Sequence, residues 1–263
     1  MKLFILLLLT MSALYSNVYY SKVAPYEVRK ISSNVVGVVL FANENMIGEK
    51  LTTNAYIKID SKLDRDELRY TNEKLTYLKN TVVMNEKILQ NLEESLNKKR
   101  ANYKKVQALK IKSSVEKDRE FYDLIGSENS ALATQKEINT LKNQIADLEL
   151  RKIQLQRNID DKTQTAQNYT LYELNVKVGE VVNKGTPLAT ILDTSKAILT
   201  IYLNQEDVVS AKNRDIYIDG EKTDYKISRV LNIADSKNIS KYMAQIVVKS
   251  PEVFSKLVKI ELK

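Results

Sequence analysis

The chain has 263 residues, 43% hydrophobic and 28% charged, with a formal net charge of +8, no Cys, no His, no Trp and only four Phe. Without Cys there are no disulfides, no thiolate chemistry and no lipid-anchored cysteine; without His the commonest metal ligand and the usual neutral-pH base are gone. Lys and Glu interleave along the helical stretches, so the positive excess reads as a solvated surface with at most a mild attraction to anionic lipid head groups. No basic face with stacking aromatics marks a nucleic-acid partner.

Lys2 followed by the apolar run Leu3 to Ala13 has the pattern of an export signal. The run is short for a membrane span, which needs about 20 apolar residues. Ser16 is a small residue at the expected cleavage point, but Leu14 at the −3 position is not. Residues 1–16 are therefore a signal peptide or a retained N-terminal anchor, and either one puts the body of the protein outside the cytoplasm.

Val35 to Phe41 and Tyr56 to Ile59 read as short strands from their β-branched and aromatic content. Between them Gly48, Leu51, Asn54 and Ile57 fall three residues apart, and Ile59-Asp60 follows. The same spacing returns after residue 170 as Gly179, Val182, Gly185 and Leu188, followed by Ile191-Leu192-Asp193. Gly48, Gly179 and Gly185 suit positive-φ turns, and Asn54 stands where Gly185 does in the other copy, Asn being the non-glycine residue most tolerant of that conformation. Asp60 and Asp193 end equivalent strands and read as turn formers rather than a catalytic pair.

The intervening segment is heptad-patterned. From Leu68 the a and d positions run through Thr71, Leu75, Leu78, Val82, Asn85, Leu89, Leu92, Leu96, Lys99 and Tyr103 to Val106, nine of the twelve being apolar. A second run from Leu124 through Ser127, Ala131, Thr134, Ile138, Leu141, Ile145, Leu148, Lys152 and Leu155 to Ile159 has eight of eleven apolar. The two runs share one register, so counting alone permits an unbroken helix. A bend is favoured because Lys110, Ser113, Lys117 and Glu120 are successive polar seam positions, and Ser113 with Glu116 forms a capping box. For the two turn motifs to fold together their ends must meet, which two arms of ~50 residues allow and one straight helix forbids. Asn85, Lys99, Ser127 and Lys152 are polar seam positions of the kind that fix register.

Leu174 to Val178 and Leu188 to Leu192 match the first pair of strands. From Ala197 the pattern is all-β: Ile198 to Leu203 alternates, Glu206 to Val209 is a short helical or turn segment, and Ile216 to Ile218 with Tyr225 to Ile227 flank an Asp219-Gly220 hairpin signal. Tyr242 to Val248 and Leu257 to Leu262 add strands.

Gly179-Glu-Val-Val182-Asn-Lys-Gly185-Thr-Pro187-Leu188, with its degenerate partner from Gly48 to Asp60, resembles the split lipoyl-like (barrel-sandwich) domain of periplasmic adaptor subunits, the hemolysin-D-type membrane fusion proteins of tripartite efflux and secretion systems. The resemblance implies an elongated α+β chain: an antiparallel two-helix coiled-coil hairpin inserted into a split lipoyl-like domain, followed by a small β-barrel. The expected divisions are 1–16 signal peptide or anchor, 26–60 first lipoyl half, 61–168 hairpin with its tip about 107–117, 169–196 second lipoyl half, and 197–263 barrel. The membrane-proximal domain of many relatives is expected to be absent or minimal. Related folds carry lipoyl or biotinyl groups on a lysine, and Lys62 lies near that place; with the hairpin opened into a coiled coil, no cofactor is expected.

Relatives that dock on TolC-type channels tend to carry Arg, three residues, Leu, six residues, Ser at the hairpin tip. Asn102, Val106 and Ser113 match that spacing, with Leu109 between them; Asn102 departs from Arg and Val106 replaces Leu. Ser113 also fits simple helix capping. The function implied is a non-enzymatic periplasmic adaptor, associated with the inner membrane. It would link an efflux pump, of the resistance-nodulation-division type rather than ABC, to a TolC-type channel, self-associating into a ring of six. The alternatives are an adaptor of an ABC-type exporter or type I secretion system, or a structural coiled-coil envelope protein.

Overall fold

The computed structural model describes residues 17–234 and 240–263, so the export signal read in residues 1–16 lies outside the described residues. Its elements in chain order are β1 (Asn17–Lys22), β2 (Ala24–Ser32), β3 (Gly37–Ala42), β4 (Ile57–Ile59), α1 (Lys62–Ala108), α2 (Ser114–Asp161), β5 (Thr163–Gln164), β6 (Thr170–Leu174), β7 (Val181–Val182), β8 (Pro187–Leu203), α3 (Gln205–Val208), β9 (Ile216–Ile218), β10 (Glu221–Thr223), β11 (Ile227–Ala234), β12 (Tyr242–Lys249) and β13 (Leu257–Leu262). They fall into two compact units, a β-unit of residues up to Lys58 and from Gln164 onward, and a helical unit of Ile59–Thr163.

In the β-unit, one sheet runs β1-β13-β9-β10 and a second β11-β12-β8-β2, with β6 also on β8; a third runs β5-β4-β3-β7. The apolar residues of β8, β12 and β13 alternate, and their inward members Leu199, Ile201, Leu203, Ala244, Ile246, Ile260 and Leu262 form one core with Val23, Ile216 and Ile227. β8 is a single strand of 17 residues. It pairs first with β2 and β6, and from Lys196 onward with β12. The strand break expected near Asp193 does not occur. Instead β2 carries the irregularity, a register shift between Pro25 and Glu27 opposite this stretch, where a proline cannot donate to the ladder.

Residues 17–22 and 24–25 are themselves sheet. β1 pairs with β13 from Asn17–Leu262 to Lys22–Leu257 and so joins the same barrel as the C-terminal strands. The Asp219-Gly220 turn closes with Glu221–Thr223, not with Tyr225 to Ile227 as the sequence suggested: Ile218 faces Glu221 across two residues with φ of +50° and +91°. Positive φ at both positions is the geometry that matches strand twist in a two-residue hairpin.

The helical unit is an antiparallel pair, α1 of 47 residues and α2 of 48, each about 70 Å long at 1.5 Å per residue. The break spans Leu109 to Ser113. Ser113 is the N-cap of α2: its hydroxyl accepts the Glu116 N–H at 3.3 Å, and the Glu116 carboxylate accepts the Ser113 N–H at 3.0 Å. Thr71, Leu75, Leu78, Val82 and Leu96 of α1, with Ala131, Ile138, Leu141 and Leu155 of α2, are the buried seam. Cross-arm pairs Arg151–Glu67, Lys79–Glu149, Lys142–Glu86 and Arg100–Glu128 span the antiparallel arms from base to tip. At the base the Ile59 N–H donates to the Lys162 carbonyl at 2.8 Å and Lys162 pairs with Asp64, so the two ends of the insert meet.

Candidate functional site: a split turn motif and a hairpin tip

The two glycine-led repeats fold as a pair. The Gly48 N–H donates to the Leu171 carbonyl at 2.7 Å, and the Gly179 N–H donates to the Val39 carbonyl at 2.8 Å. Each repeat thus bonds to a strand contributed by the other half of the chain. Their φ values match, +88° and +90°, and Leu51, Ile57, Val182 and Leu188, the three-spaced apolar positions, are all buried. Gly185, at φ +88°, donates its N–H to the Ser33 carbonyl at 2.8 Å.

Asn54 departs from the parallel. It is not among the residues with positive φ; its N–H donates to the Thr52 hydroxyl at 3.2 Å. In the other copy the turn closes through the backbone, Thr186 N–H to Asn183 carbonyl at 3.0 Å, and only that closure calls on glycine. A threonine hydroxyl two residues earlier removes the need for the left-handed conformation. Asp60 and Asp193 behave alike, each accepting the N–H two residues on, at 2.9 Å to Lys62 and 2.9 Å to Ser195. At Asp60 that is Asx-turn chemistry, with Lys62 the first residue of α1, whereas Asp193 makes its bond inside the unbroken strand β8.

At the other end of the helical unit, Asn102 and Val106 lie on the last turns of α1, exposed and half-buried respectively. Leu109 is the C-cap residue of α1 and Ser113 the N-cap of α2, so the four tip residues expected from the family resemblance flank one reversal. Sequence spacing did not single out what the reversal exposes: Ile111 at 89%, Val115 at 75% and Tyr122 at 71% of their accessible surface. Tyr103, Phe121 and Tyr122 form an aromatic chain with successive centroids 5.8 Å apart. The signal was present as apolar residues off the seam register. Glu116 is held well below the usual carboxylate range, to about 2, by its bond from Lys112 first and then by the Ser113 N–H and hydroxyl.

Among the described residues no group of three or more His, Cys, Asp or Glu is placed to hold a metal ion, and no helix is long and apolar enough to cross a membrane. Among the described residues the carboxylate most deeply buried, Asp207, is a structural anchor: it accepts from both Asn17 and the Tyr19 hydroxyl and pairs with Arg214 at 3.0 Å. Burial, with Asp207 alongside, pushes the Tyr19 phenol well above its ordinary value.

A helical hairpin inserted between the halves of a paired turn motif, with a small barrel following, is the fold of the membrane fusion, or periplasmic adaptor, proteins. MacA from Actinobacillus actinomycetemcomitans matches over 94% of this chain and 78% of that chain, at 16% identity and a TM-score of 0.65. The membrane fusion protein Spr0693 from Streptococcus pneumoniae R6 matches over 94% and 99%, at 14% identity and a TM-score of 0.58. A MacA-MexA chimeric protein containing the Pseudomonas aeruginosa MexA α-hairpin domain matches over 94% and 80%, at 14% identity and 0.59. No family model matches the sequence, and no curated protein matches it.

Proposed function

We propose that this chain is a non-enzymatic periplasmic adaptor that links an inner-membrane efflux pump, of the resistance-nodulation-division type rather than ABC, to an outer-membrane channel of the TolC type. The reading is carried by one observation: the Gly48 and Gly179 repeats, 131 positions apart in sequence, bond reciprocally across the two halves of the β-unit while the hairpin between them returns to its start. Such a design presents a long two-helix arm, which suits reach and assembly. The tip supports it, because an apolar reversal offers a coiled-coil partner an anchor.

Self-association into a ring, six copies by analogy with the fold, also has a surface. Leu63, Tyr70, Tyr77 and Met84 recur every seven residues along α1, all exposed and off the seam, and exposed Leu150 and Ile153 lie on α2. A seven-residue repeat is the spacing a further helix would follow. The exported cargo would be small molecules driven by the pump.

The test is a pair of tip substitutions, Leu109→Glu and Ile111→Glu. Both side chains are exposed, so folding and thermal unfolding should be unchanged while export in cells carrying the pump and channel falls to background. Undiminished export with the doubly substituted tip would remove channel docking from the reading.

A further inference from the structure

One end of the barrel gathers features that nothing in the adaptor reading uses. α3 and the turn after it, Gln205–Asn213, lie against β11 and β12, and a groove there is lined by Val208, Val209, Val230 and Tyr242 together with Gln205 and Lys212. Val209 projects with 90% of its surface exposed, and Ile233, near the end of β11, with 81%. Lys212 lines the same groove as Val209, and Lys241 donates to the side chain of Asn204, which precedes α3. Glu206 is the one exposed acid on α3, since Asp207 is buried and paired with Arg214.

A second, independent observation fixes where the N-terminal segment leaves. Asn17, the first residue of β1, donates through Nδ2 to both Asp207 oxygens at 2.8 and 2.7 Å. The described chain therefore begins at this same end of the barrel, where the preceding sequence is attached, and the outward residues of β1 next to it are Val18 and Tyr20, both exposed.

We propose that this barrel end, with Val18, Tyr20, Val209 and Ile233 as apolar contacts and Lys212 and Lys241 as cations, seats in the head-group layer of an anionic bilayer. The proposal rests on the membrane-associated reading and deepens it by naming lipid as a direct partner of the folded barrel. Apolar side chains at a surface turn gain from leaving water, tyrosines favour the interface, and each lysine near an anionic surface strengthens binding about fivefold.

The chain contains no Trp, so one can be introduced as a sole reporter. The full chain carrying Val209→Trp is compared with one carrying Val253→Trp. Val253 is exposed too, but it lies in the β12–β13 connection, near Lys256, which bonds Val23 at the far end of β1. Each is mixed with vesicles of phosphatidylglycerol and phosphatidylcholine whose acyl chains are brominated, and with phosphatidylcholine vesicles alone.

Indole emission from the Val209→Trp chain should shift to the blue and be quenched on the anionic vesicles, while that from the Val253→Trp chain stays unmoved. Adding Lys212→Gln and Lys241→Gln should weaken the response about 30-fold in lipid concentration. Flotation of the chain with vesicles while the reporter at position 209 stays as wet as the one at position 253 would overturn the proposal and leave membrane association through residues 1–16 intact. Failure to float at all would overturn both. A blue shift that grows with protein concentration without lipid would assign the surface to a second copy and likewise overturn it.

Discussion

Gly179 and Gly126 meet the same emptiness with opposite consequences. No heavy atom lies within 4 Å of where a Cβ would sit on either, so steric crowding decides neither. Gly179 holds φ at +90°, a conformation that costs an L-residue about 1–2 kcal/mol, whereas Gly126 sits mid-helix in α2, where alanine is better than glycine by about 0.5–1 kcal/mol. Gly179→Ala should therefore lower the urea midpoint of the β-unit, followed by near-ultraviolet tyrosine signal. Gly126→Ala should raise that of the helices, followed at 222 nm.

The tip adds a pH prediction. Glu116 titrates at about 2 in the fold, below the ordinary glutamate value of about 4.3, so its contribution to the cap is complete above that ordinary value and is lost as pH falls through about 2. A carboxyl carbon titration should place its midpoint near 2, and Ser113→Ala should move it upward because the hydroxyl that donates to the carboxylate is removed. A midpoint at the ordinary value in the unaltered chain would mean the capping box is not formed in solution.

At the scale of elements, the helices were legible and the strands less so. Every heptad position assigned from Leu68 to Val106 is buried or half-buried in α1, because seven-residue patterning maps directly onto one face of a helix. The assigned polar seam positions found different fates. Lys99 donates to Ser127 at 2.7 Å and to Asp123 at 2.9 Å, bridging the arms, while Lys152 is exposed. Spacing could mark both as seam positions, but which of them face each other depends on where the chain reverses. β1 and the first part of β2 escaped notice for a different reason. Their sequences, NVYYSK and APYEVRKIS, bury few residues, so no apolar alternation announces a strand.

The exposed stripe on α1 yields the prediction for this scale. Tyr70→Glu with Tyr77→Glu leaves the seam untouched, so helix content at 222 nm should stay the same, while light scattering should show the self-associated form shifting to monomer. Arg69, whose guanidinium lies 4.3 Å from the Tyr70 ring centroid, belongs to the same surface and should be kept unchanged. Assembly that survives both charges would place the contacts between copies elsewhere.

For the whole molecule, the question is whether the β-unit needs its helical insert. Its two halves are joined by their own reciprocal bonds, Gly48 to Leu171 and Gly179 to Val39, and by β8, which pairs with β2 from the first half and β6 from the second. The Ile59–Lys162 bond and the Lys162–Asp64 pair close the base of the insert before either helix has completed two turns from it. Deleting residues 66–157 and bridging the gap with a short polar turn keeps all of these. It also replaces a loop of about a hundred residues by one of a few, which lowers the closure cost by about 2–3 kcal/mol wherever the arm is unfolded. The shortened chain should give a β-type circular dichroism spectrum with the 222 nm helix signal gone, and should unfold in one cooperative step. Its urea midpoint should be no lower than the β-unit's own in the full chain. An unfolded or multi-step product would mean that the halves do not recognise each other without the helices to bring them together, and the reciprocal turn motif would lose its place as the organiser of the fold.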